Sequence, residues 1–372
     1  MKLTILQENL IKGLNLVGRS VATRPQLPIL ANILLSAEEG RLRMAATNLE
    51  IGINFWAGAK IEEEGSFTVP ARAFLEFISS LPKEKVEISL EEGQLVVRCD
   101  SYEASFNGIA ATEFPALPSF PEEELFSLKK ETLTEALQKA SFAAAADEGR
   151  PVLTGVLFKF LGKDLFLAAT DGFRLSVVKI PNPLPKKKEE TKILLPARAL
   201  AEVIKATSGE SGEKKEIAFA LLPRGNQAIF SVENTEIVTQ LIGGEFPNYE
   251  KIIPAEGGTK ITVAGEDLLR AVRMAAIFAR DSSNIVRFKI EEGKLLVSAN
   301  AAQVGKNKSE IEVKGGGEGK IAFNSRYLLD FLNVVGEKEV SLEMSSALSP
   351  GVFKIVGEEN FLHIIMPVRV QN

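Results

Sequence analysis

The residue types behind most enzyme chemistry are almost absent from this chain. Among 372 residues there is one histidine, His363, and one cysteine, Cys99. A single cysteine excludes an internal disulfide framework and any multi-cysteine zinc site. A single histidine excludes paired-histidine metal sites, and any imidazole base would have to be His363. That residue stands in the alternating, largely apolar run FLHIIMPVRV with no partnered Ser or Cys, so it reads as a structural strand residue. The run Gly315-Gly316-Gly317-Glu318-Gly319-Lys320 invites comparison with a phosphate loop. Such a loop needs a further glycine spacing and a Ser or Thr after the lysine, where Ile321 stands. A loop between strand-like IEVK and KIAF is the better account. Lys186-Lys187-Lys188 lies among prolines beside Glu189 and Glu190 and is expected to face solvent without a role. No pair among the 49 Asp and Glu residues has a spacing that asks for acid–base work. No catalytic residue, metal or other cofactor is expected.

What remains is binding chemistry, and charge bounds it. Lys plus Arg number 44 against 49 acidic residues, a net charge of −5. Contact with nucleic acid therefore has to be a local basic surface and not a property of the whole chain. At 45% apolar and 25% charged, the chain has ample core for two or three domains. Polar residues interrupt the opening MKLTILQENLIKGLNL, and no run approaches the roughly eighteen apolar residues of a membrane span. With one free cysteine and no membrane segment, a cytoplasmic location is expected.

The elements that must position any binding surface come in threes. FTVPARAFLEFI (67–78), ILLPARALAEVI (193–204) and IAFNSRYLLDFL (321–332) match, and their arginines, Arg72, Arg198 and Arg326, are spaced by 126 and 128 residues. A second set, LRMAATN, LFLAATD and LLVSANA, begins at Leu42, Leu165 and Leu295. A third, LTILQENLIKGL, FSLKKETLTEAL and ITVAGEDLLRAV, begins at Leu3, Phe126 and Ile261. Three markers on one period predict three homologous domains, at 1–120, 121–254 and 255–372. Proline-bearing breaks, EFPALPSFPEEE and EFPNYEKIIPAEGG, separate them.

Each domain reads as internally doubled, a strand and helix followed by further strands, twice over. Glu38-Glu39-Gly40, Glu91-Glu92-Gly93 and Glu291-Glu292-Gly293 supply hairpin loops in which glycine takes the positive φ. The helices carry single apolar stripes: Leu10, Leu14, Val17; Phe74, Ile78, Leu81; and Leu268, Val272, Ala276. The class is α+β with antiparallel sheets, built from doubled βαβββ units. Asp171 falls where the first repeat has Asn48, which marks a turn. The second repeat alone continues Asp171-Gly172-Phe173-Arg174-Leu175, and the third alone ends in the apolar Ile364-Ile365-Met366-Pro367-Val368-Arg369-Val370. Core packing explains such a run; a groove for an extended peptide is the alternative.

Taken together, RPQLPIL (24–30), ATDGFRL (169–175), GGEFPNY (243–249), the triple repeat and IMPVRV (365–370) resemble the bacterial DNA polymerase III beta subunit family, the sliding clamps. The resemblance spans the whole chain. It implies a head-to-tail homodimeric ring of six similar domains around duplex DNA, with helices inside and sheets outside. It also implies a tether without a reaction of its own, whose partners are double-stranded DNA, the DNA polymerase III catalytic subunit, an ATP-dependent clamp loader, and other replication and repair proteins carrying short peptide motifs. The partner groove implied uses Leu153, Thr170, Gly172, Phe173, Arg174, Leu175, Pro247 and Ile252, with Asn324, Tyr327, Leu348 and Ile364, Ile365, Met366, Pro367, Val368 and Arg369. The DNA surface implied uses Arg24, Arg72, Lys139, Arg198, Lys205, Arg270 and Arg273, with Lys12, Arg19 and Arg326 on the same candidate helices. Glu202, Glu266 and Asp267 stand near several of these cations, so a solvated helix face is the competing reading. The dimer contact implied uses Phe106, Ile277 and Phe278.

Three departures stand out. Phe173 replaces a histidine frequent in the motif, making that wall more apolar. Gln371 and Asn372 extend past the usual end. Glu103 and Ser105 stand where some members have arginine, which leaves the ion pairs of the dimer contact open. A repeat scaffold that binds peptides without encircling DNA is the alternative to a clamp.

Overall fold

The computed structural model describes residues 1–121, 126–147, 149–184, 190–208, 215–222, 226–254 and 258–369. The polybasic 186–188 and the terminal Val370, Gln371 and Asn372 lie outside the described residues. Within them the chain forms six βαβββ units. The first is β1 (Lys2–Leu6), α1 (Gln7–Val17), β2 (Asn32–Glu38), β3 (Arg41–Thr47) and β4 (Ile51–Gly58), followed by an extra strand, β5 (Lys60–Glu63). The second is β6 (Gly65–Pro70), α2 (Ala71–Ser80), β7 (Lys85–Glu91), β8 (Gln94–Cys99) and β9 (Tyr102–Asn107). The third is β10 (Phe126–Lys129), α3 (Lys130–Ser141), β11 (Gly155–Leu161), β12 (Asp164–Thr170) and β13 (Arg174–Pro181). The fourth is β14 (Thr191–Pro196), α4 (Ala197–Thr207), β15 (Glu216–Leu222), β16 (Gln227–Val232) and β17 (Thr235–Gln240). The fifth is β18 (Thr259–Val263), α5 (Gly265–Ala279), β19 (Ile285–Glu291), β20 (Lys294–Ala301) and β21 (Gly305–Glu312), then an extra strand, β22 (Lys314–Gly316). The sixth is β23 (Gly319–Asn324), α6 (Ser325–Val335), β24 (Val340–Met344), β25 (Gly351–Ile355) and β26 (Phe361–Ile365).

Within each repeat the two units exchange their first strands. β1 pairs with β7 of the following unit, and β6 pairs back with β2. The same exchange joins β10 to β15, β14 to β11, β18 to β24, and β23 to β19. Neither half of a repeat can complete its sheet alone. Every named strand pairing is antiparallel.

Two of the resulting sheets continue across the repeat boundaries. β4 pairs with β17, making an eight-stranded sheet ordered β10-β15-β16-β17-β4-β3-β2-β6. β13 pairs with β26, making a nine-stranded sheet ordered β14-β11-β12-β13-β26-β25-β24-β18-β22. By compactness the chain divides into two units, Met1–Thr134 with Arg198–Leu241, and Glu135–Ala197 with Ile242–Asn372, so the central repeat is shared between them. The first holds the eight-stranded sheet and β5-β1-β7-β8-β9; the second holds the nine-stranded sheet and β21-β20-β19-β23.

The expected stripes are the buried ones. Leu10, Leu14, Val17, Phe74, Ile78, Leu81, Leu268, Val272 and Ala276 all lie in the core, and each large apolar side chain so placed contributes about 2 kcal/mol. Glu39 and Gly40, and Glu92 and Gly93, all take positive φ, the twist that a two-residue hairpin needs. In the third hairpin Gly293 alone does so. The glycine-rich run is only partly the loop expected. Lys314–Gly316 adds to the edge of β18, with Lys260 opposite Gly316 and Thr262 opposite Lys314. The absence of a side chain at Gly315 lets the backbone lie against that edge: a Cβ there would stand 2.4 Å from the Lys260 carbonyl oxygen.

Candidate functional site

The stretch peculiar to the second repeat is a side-chain-capped turn between β12 and β13. Asp171 Oδ1 accepts from the backbone N–H of Phe173 (2.8 Å) and Arg174 (3.0 Å). Thr170 Oγ1 accepts from Gly172 N–H (3.0 Å) and donates to the Arg174 carbonyl (2.6 Å). The first repeat builds the same turn with Asn48, whose Oδ1 accepts from Glu50 and Ile51. There the left-handed position is Leu49, at φ 76°; here it is Gly172, at φ 91°. Glycine relieves the backbone cost and makes room: a Cβ on Gly172 would lie 3.1 Å from the Arg150 guanidinium, which donates to the Asp171 carbonyl at 3.0 Å.

From this turn Phe173 points outward and Arg174 inward. Phe173 is 57% exposed, and its ring runs nearly parallel to that of Tyr327, 18° apart with centroids at 6.5 Å. The Arg174 side chain is only 10% exposed. Its guanidinium lies 4.8 Å from the Tyr327 ring centroid and 5.6 Å from that of Phe142, pairing with Asp171 (3.1 Å) and Asp330 (2.5 Å). Both charge pairing and aromatic stacking suit a planar guanidinium.

Tyr327 and Asp330 come from α6, whose start and end are both marked in sequence. Asn324 Oδ1 caps it by accepting from Arg326 N–H at 2.9 Å, and Gly336 ends it at φ 68°. Leu328, Phe331, Leu332 and Val335 bury one face, which leaves Tyr327 and Asp330, three residues apart, on neighbouring positions beside Arg174.

The third component is the segment after β26. In register, Arg174 faces Ile365 and Leu175 faces Ile364. Past the strand, Met366 N–H donates to the Phe173 carbonyl and Val368 N–H to the Ala322 carbonyl, both at 2.8 Å. Met366 is therefore held beside Phe173, partly exposed, with Pro367 and Val368 half-buried and Arg369 exposed after it. Leu153, Thr170, Leu175, Ile364 and Ile365 are buried. Leu175 and Ile364 belong to a core cluster with Leu157, Val177, Tyr249 and Val352, so they support the surface and do not form it. Pro247, Ile252 and Leu348 are exposed. A separate depression of about 680 Å³, lined by Lys260, Glu343, Lys354, Val356 and Leu362 among others, shares no residue with the predicted groove. Sequence reasoning missed Phe142, Arg150 and Asp330. Asp330 could have been found from its spacing to Tyr327; Arg150 and Phe142 lie outside the matched motifs.

His363 is structural, as its sequence context suggested. It is fully buried, stacks on Phe331 (centroids 5.0 Å apart, planes 10° apart), and Nδ1 shares a 2.7 Å hydrogen bond with Ser176 Oγ. Burial pushes its pKa well below the ordinary imidazole value, and the Arg174 charge adds to this.

The candidate phosphate-binding cations separate into three groups. Arg24 is exposed in a loop and has no ion pair among the described residues. Arg72, Lys205, Arg270 and Arg273 are surface residues with neighbours: Glu76 (3.3 Å), Glu202 (2.7 Å), Glu266 (2.6 Å) and Asn333 (2.9 Å). Exposed pairs of this kind are worth about 0–1 kcal/mol and exchange readily for a phosphate. Arg19 also reaches Glu202, at 3.7 Å, and Arg198 is exposed on α4. Lys139 corrects the expectation. It is 4% exposed and held by Glu135 (2.7 Å) and Glu358 (2.5 Å), with the Phe361 ring centroid 5.6 Å away. Burial opposes its charge, but the two carboxylates outweigh that and raise its pKa. An ammonium committed in this way is not available to DNA.

At the proposed dimer contact, Phe106 on β9 packs edge-on against Phe74 (5.2 Å) and Phe77 (5.6 Å). On α5, Ile277 is 56% exposed, Met274 is exposed and Phe278 half-buried. β9 and β21 are the outer strands of their sheets, each with one edge unpaired by any other named strand.

Comparison with known proteins decides the family. Residues 1–118, 127–248 and 250–369 match the N-terminal, central and C-terminal domains of the DNA polymerase III beta subunit. The chain belongs to the DNA polymerase III beta subunit family. It is similar to the beta sliding clamps of Synechococcus elongatus (31% identity, all of both chains) and Staphylococcus epidermidis (29%, 99% of both). Among solved structures it is similar to the Bacillus subtilis DNA polymerase sliding clamp (TM-score 0.90, 26% identity, all of both chains). It is also similar to a Pseudomonas aeruginosa sliding clamp bound to griselimycin (TM-score 0.91, 28%, all of both chains). A beta subunit is a sliding clamp for DNA polymerase III, a processivity factor without catalytic activity of its own. Among the described residues no helix is long and apolar enough to cross a membrane.

Proposed function

We propose that two copies of this chain close head to tail around duplex DNA and tether the polymerase by topological linkage. Its three domains, at 1–120, 121–254 and 255–372, supply half of a six-domain ring each time they are repeated. The observation that carries this reading is the rule by which sheets join inside the chain. The last strand of a repeat's first unit pairs with the last strand of the next repeat's second unit, as β4 with β17 and β13 with β26. Under that rule β21 needs a partner equivalent to β17 and β26, and β9 needs one equivalent to β4 and β13. A second copy supplies both, and two such joints close a cyclic, heterologous dimer.

The paired surface cations suit this role. Their contacts with phosphate are sequence-independent and weakened by salt, so the ring slides, while linkage and not affinity keeps it on the DNA. Partner proteins, including the polymerase catalytic subunit and the ATP-dependent loader, engage the surface formed by Phe173, Tyr327 and Met366 with short extended peptides. Rigid aromatic and Met side chains on a preformed edge provide apolar anchoring sites of the kind that dominate such contacts.

The test is retention on DNA of two topologies. The protein is loaded onto a nicked circle with a cognate clamp loader and ATP, freed of unbound protein, and half the sample is linearised. Retention on the circle with loss from the linear form is expected. Equal retention, or equal loss, overturns the topological tether in favour of ordinary affinity.

A further inference from the structure

The two joints inside the chain specify the register of the joint between copies, which the head-to-tail reading leaves open. β4, β13 and β21 are each eight residues long and pair with their preceding strands end to end: Arg41 with Gly58, Asp164 with Pro181, Lys294 with Glu312. Phe55, Val178 and Ser309 are therefore equivalent positions. Tyr102, Thr235 and Phe361 each open the last strand of a second unit. In one internal joint Thr235 faces Phe55, and in the other Phe361 faces Val178. Both place Tyr102 opposite Ser309. The antiparallel ladder then sets Glu103 opposite Lys308, Ala104 opposite Asn307, Ser105 opposite Lys306 and Phe106 opposite Gly305.

The side chains agree with this register without having been used to derive it. Glu103, Ser105, Lys306 and Lys308 are exposed, as are Tyr102 and Gly305 at the strand starts, while Ala104, Phe106, Asn307 and Ser309 are half-buried. One face thus brings a carboxylate against two lysines. On the other face Phe106 arrives at Gly305, where an added Cβ would lie 4.0 Å from the Phe278 ring, beside exposed Ile277. Tyr102, 54% exposed, comes opposite Ser309 at a depression of about 360 Å³ that Ser309 lines with Met274 and Ile311. Glu103 is already oriented, at 2.9 Å from Arg98, which also holds Glu91 at 2.7 Å.

We infer that, on the head-to-tail reading, a second copy docks β9 on β21 in this register, and that the Glu103–Lys308 pair is the charge contact by which this joint recognises itself. At the same positions the internal joints carry Glu236 opposite Asn54 and Leu362 opposite Val177. Only the joint between copies has opposite charges directly across the ladder, where they favour pairing and like charges oppose it.

Charge exchange tests it. Glu103→Lys and Lys308→Glu each place like charges at both joints of their own homodimer, and each is expected to weaken dimerisation about thirty-fold at low salt, read by sedimentation. Mixed one to one, the two variants have opposite charges at both joints, so a heterodimer of near wild-type affinity is expected. If each variant alone dimerises as tightly as wild type, or the mixture is no tighter than its components, the ion pair is refuted while the dimer stands. A wild-type chain that stays monomeric overturns the head-to-tail reading itself. Should a charge variant fail to fold, as read by circular dichroism, oxidation of mixed Ser105→Cys and Lys306→Cys chains is the second measurement. Cross-linking there, and not between Ser105→Cys and Lys308→Cys, is expected; the reverse preference overturns the register.

Discussion

The junctions β4–β17 and β13–β26 are built to one plan, yet it is the second that lies beside the surface proposed for partners. At the first, Glu236 faces Asn54, which accepts from Arg43 at 3.0 and 3.2 Å, and Arg43 lies over Trp56 at 6.0 Å. One Glu236 oxygen is buried without a partner among the described residues. The chain then turns back, with Leu241 N–H donating to the Asn226 carbonyl. At the second, the paired positions are apolar apart from the Ser176–His363 couple and Arg174, which faces Ile365, and the chain runs on past the ladder to Met366 and Val368. A junction becomes a site through what continues beyond it, not through its pairing.

The comparison breaks most severely at Arg174, which ties the second junction to α6. Arg174→Ala removes a mostly buried cation from Asp171 and from two aromatic rings, and should lower unfolding free energy by about 3 kcal/mol in urea titration. A loss below that of an exposed pair would mean the guanidinium is dispensable to the junction. Next comes Met366→Ala, expected to weaken binding of an extended partner peptide with apolar anchors by about 2 kcal/mol, roughly thirty-fold. Calorimetric titration should show this with the unfolding midpoint unchanged; equal affinity would remove Met366 from the groove.

The smallest effect separates the junctions by the sign of their response to pH. The pKa of His363 is lowered, so its contribution is complete above the unfolded value near 6.5 and is lost as pH falls through the folded value. The pKa of Glu236 is raised from 4.5 by burial, against the opposing Phe120 backbone hydrogen bond and Arg43 charge. Its contribution is complete below that unfolded value and is lost as pH rises through the folded one. Each slope is at most about 1.4 kcal/mol per pH unit. Between pH 4 and 7, His363→Gln should flatten the acid-side loss of stability and Glu236→Gln the opposing trend. Identical changes in both variants would erase the distinction.

The repeats were legible because a period of about 126 residues leaves three copies of each marker, and the helices because their stripes bury as spaced. The exchange of first strands was not, since local pattern marks Leu3 and Phe67 as strand residues without saying which unit completes which sheet. β5 and β22 also escaped, as short edge strands with little apolar alternation. At the site, ATDGFRL marked the turn and the terminal run marked its neighbour, but Arg150, Phe142 and Asp330 join them only in space. Lys139 was misplaced for the same reason: Glu135 is visible one helical turn away, whereas Glu358 lies 219 residues further along.

The order of synthesis gives the Met366 and Val368 hydrogen bonds a further meaning. The turn at Asp171 and the α6 residues are made first, and the wall beside Phe173 is laid down only when residues 361–369 emerge. A chain still on the ribosome, or one whose β26 has slipped by a residue, lacks that wall or presents its opposite face. On the proposed function, recruitment of partners at this surface is thereby reserved for chains that have finished folding their second junction.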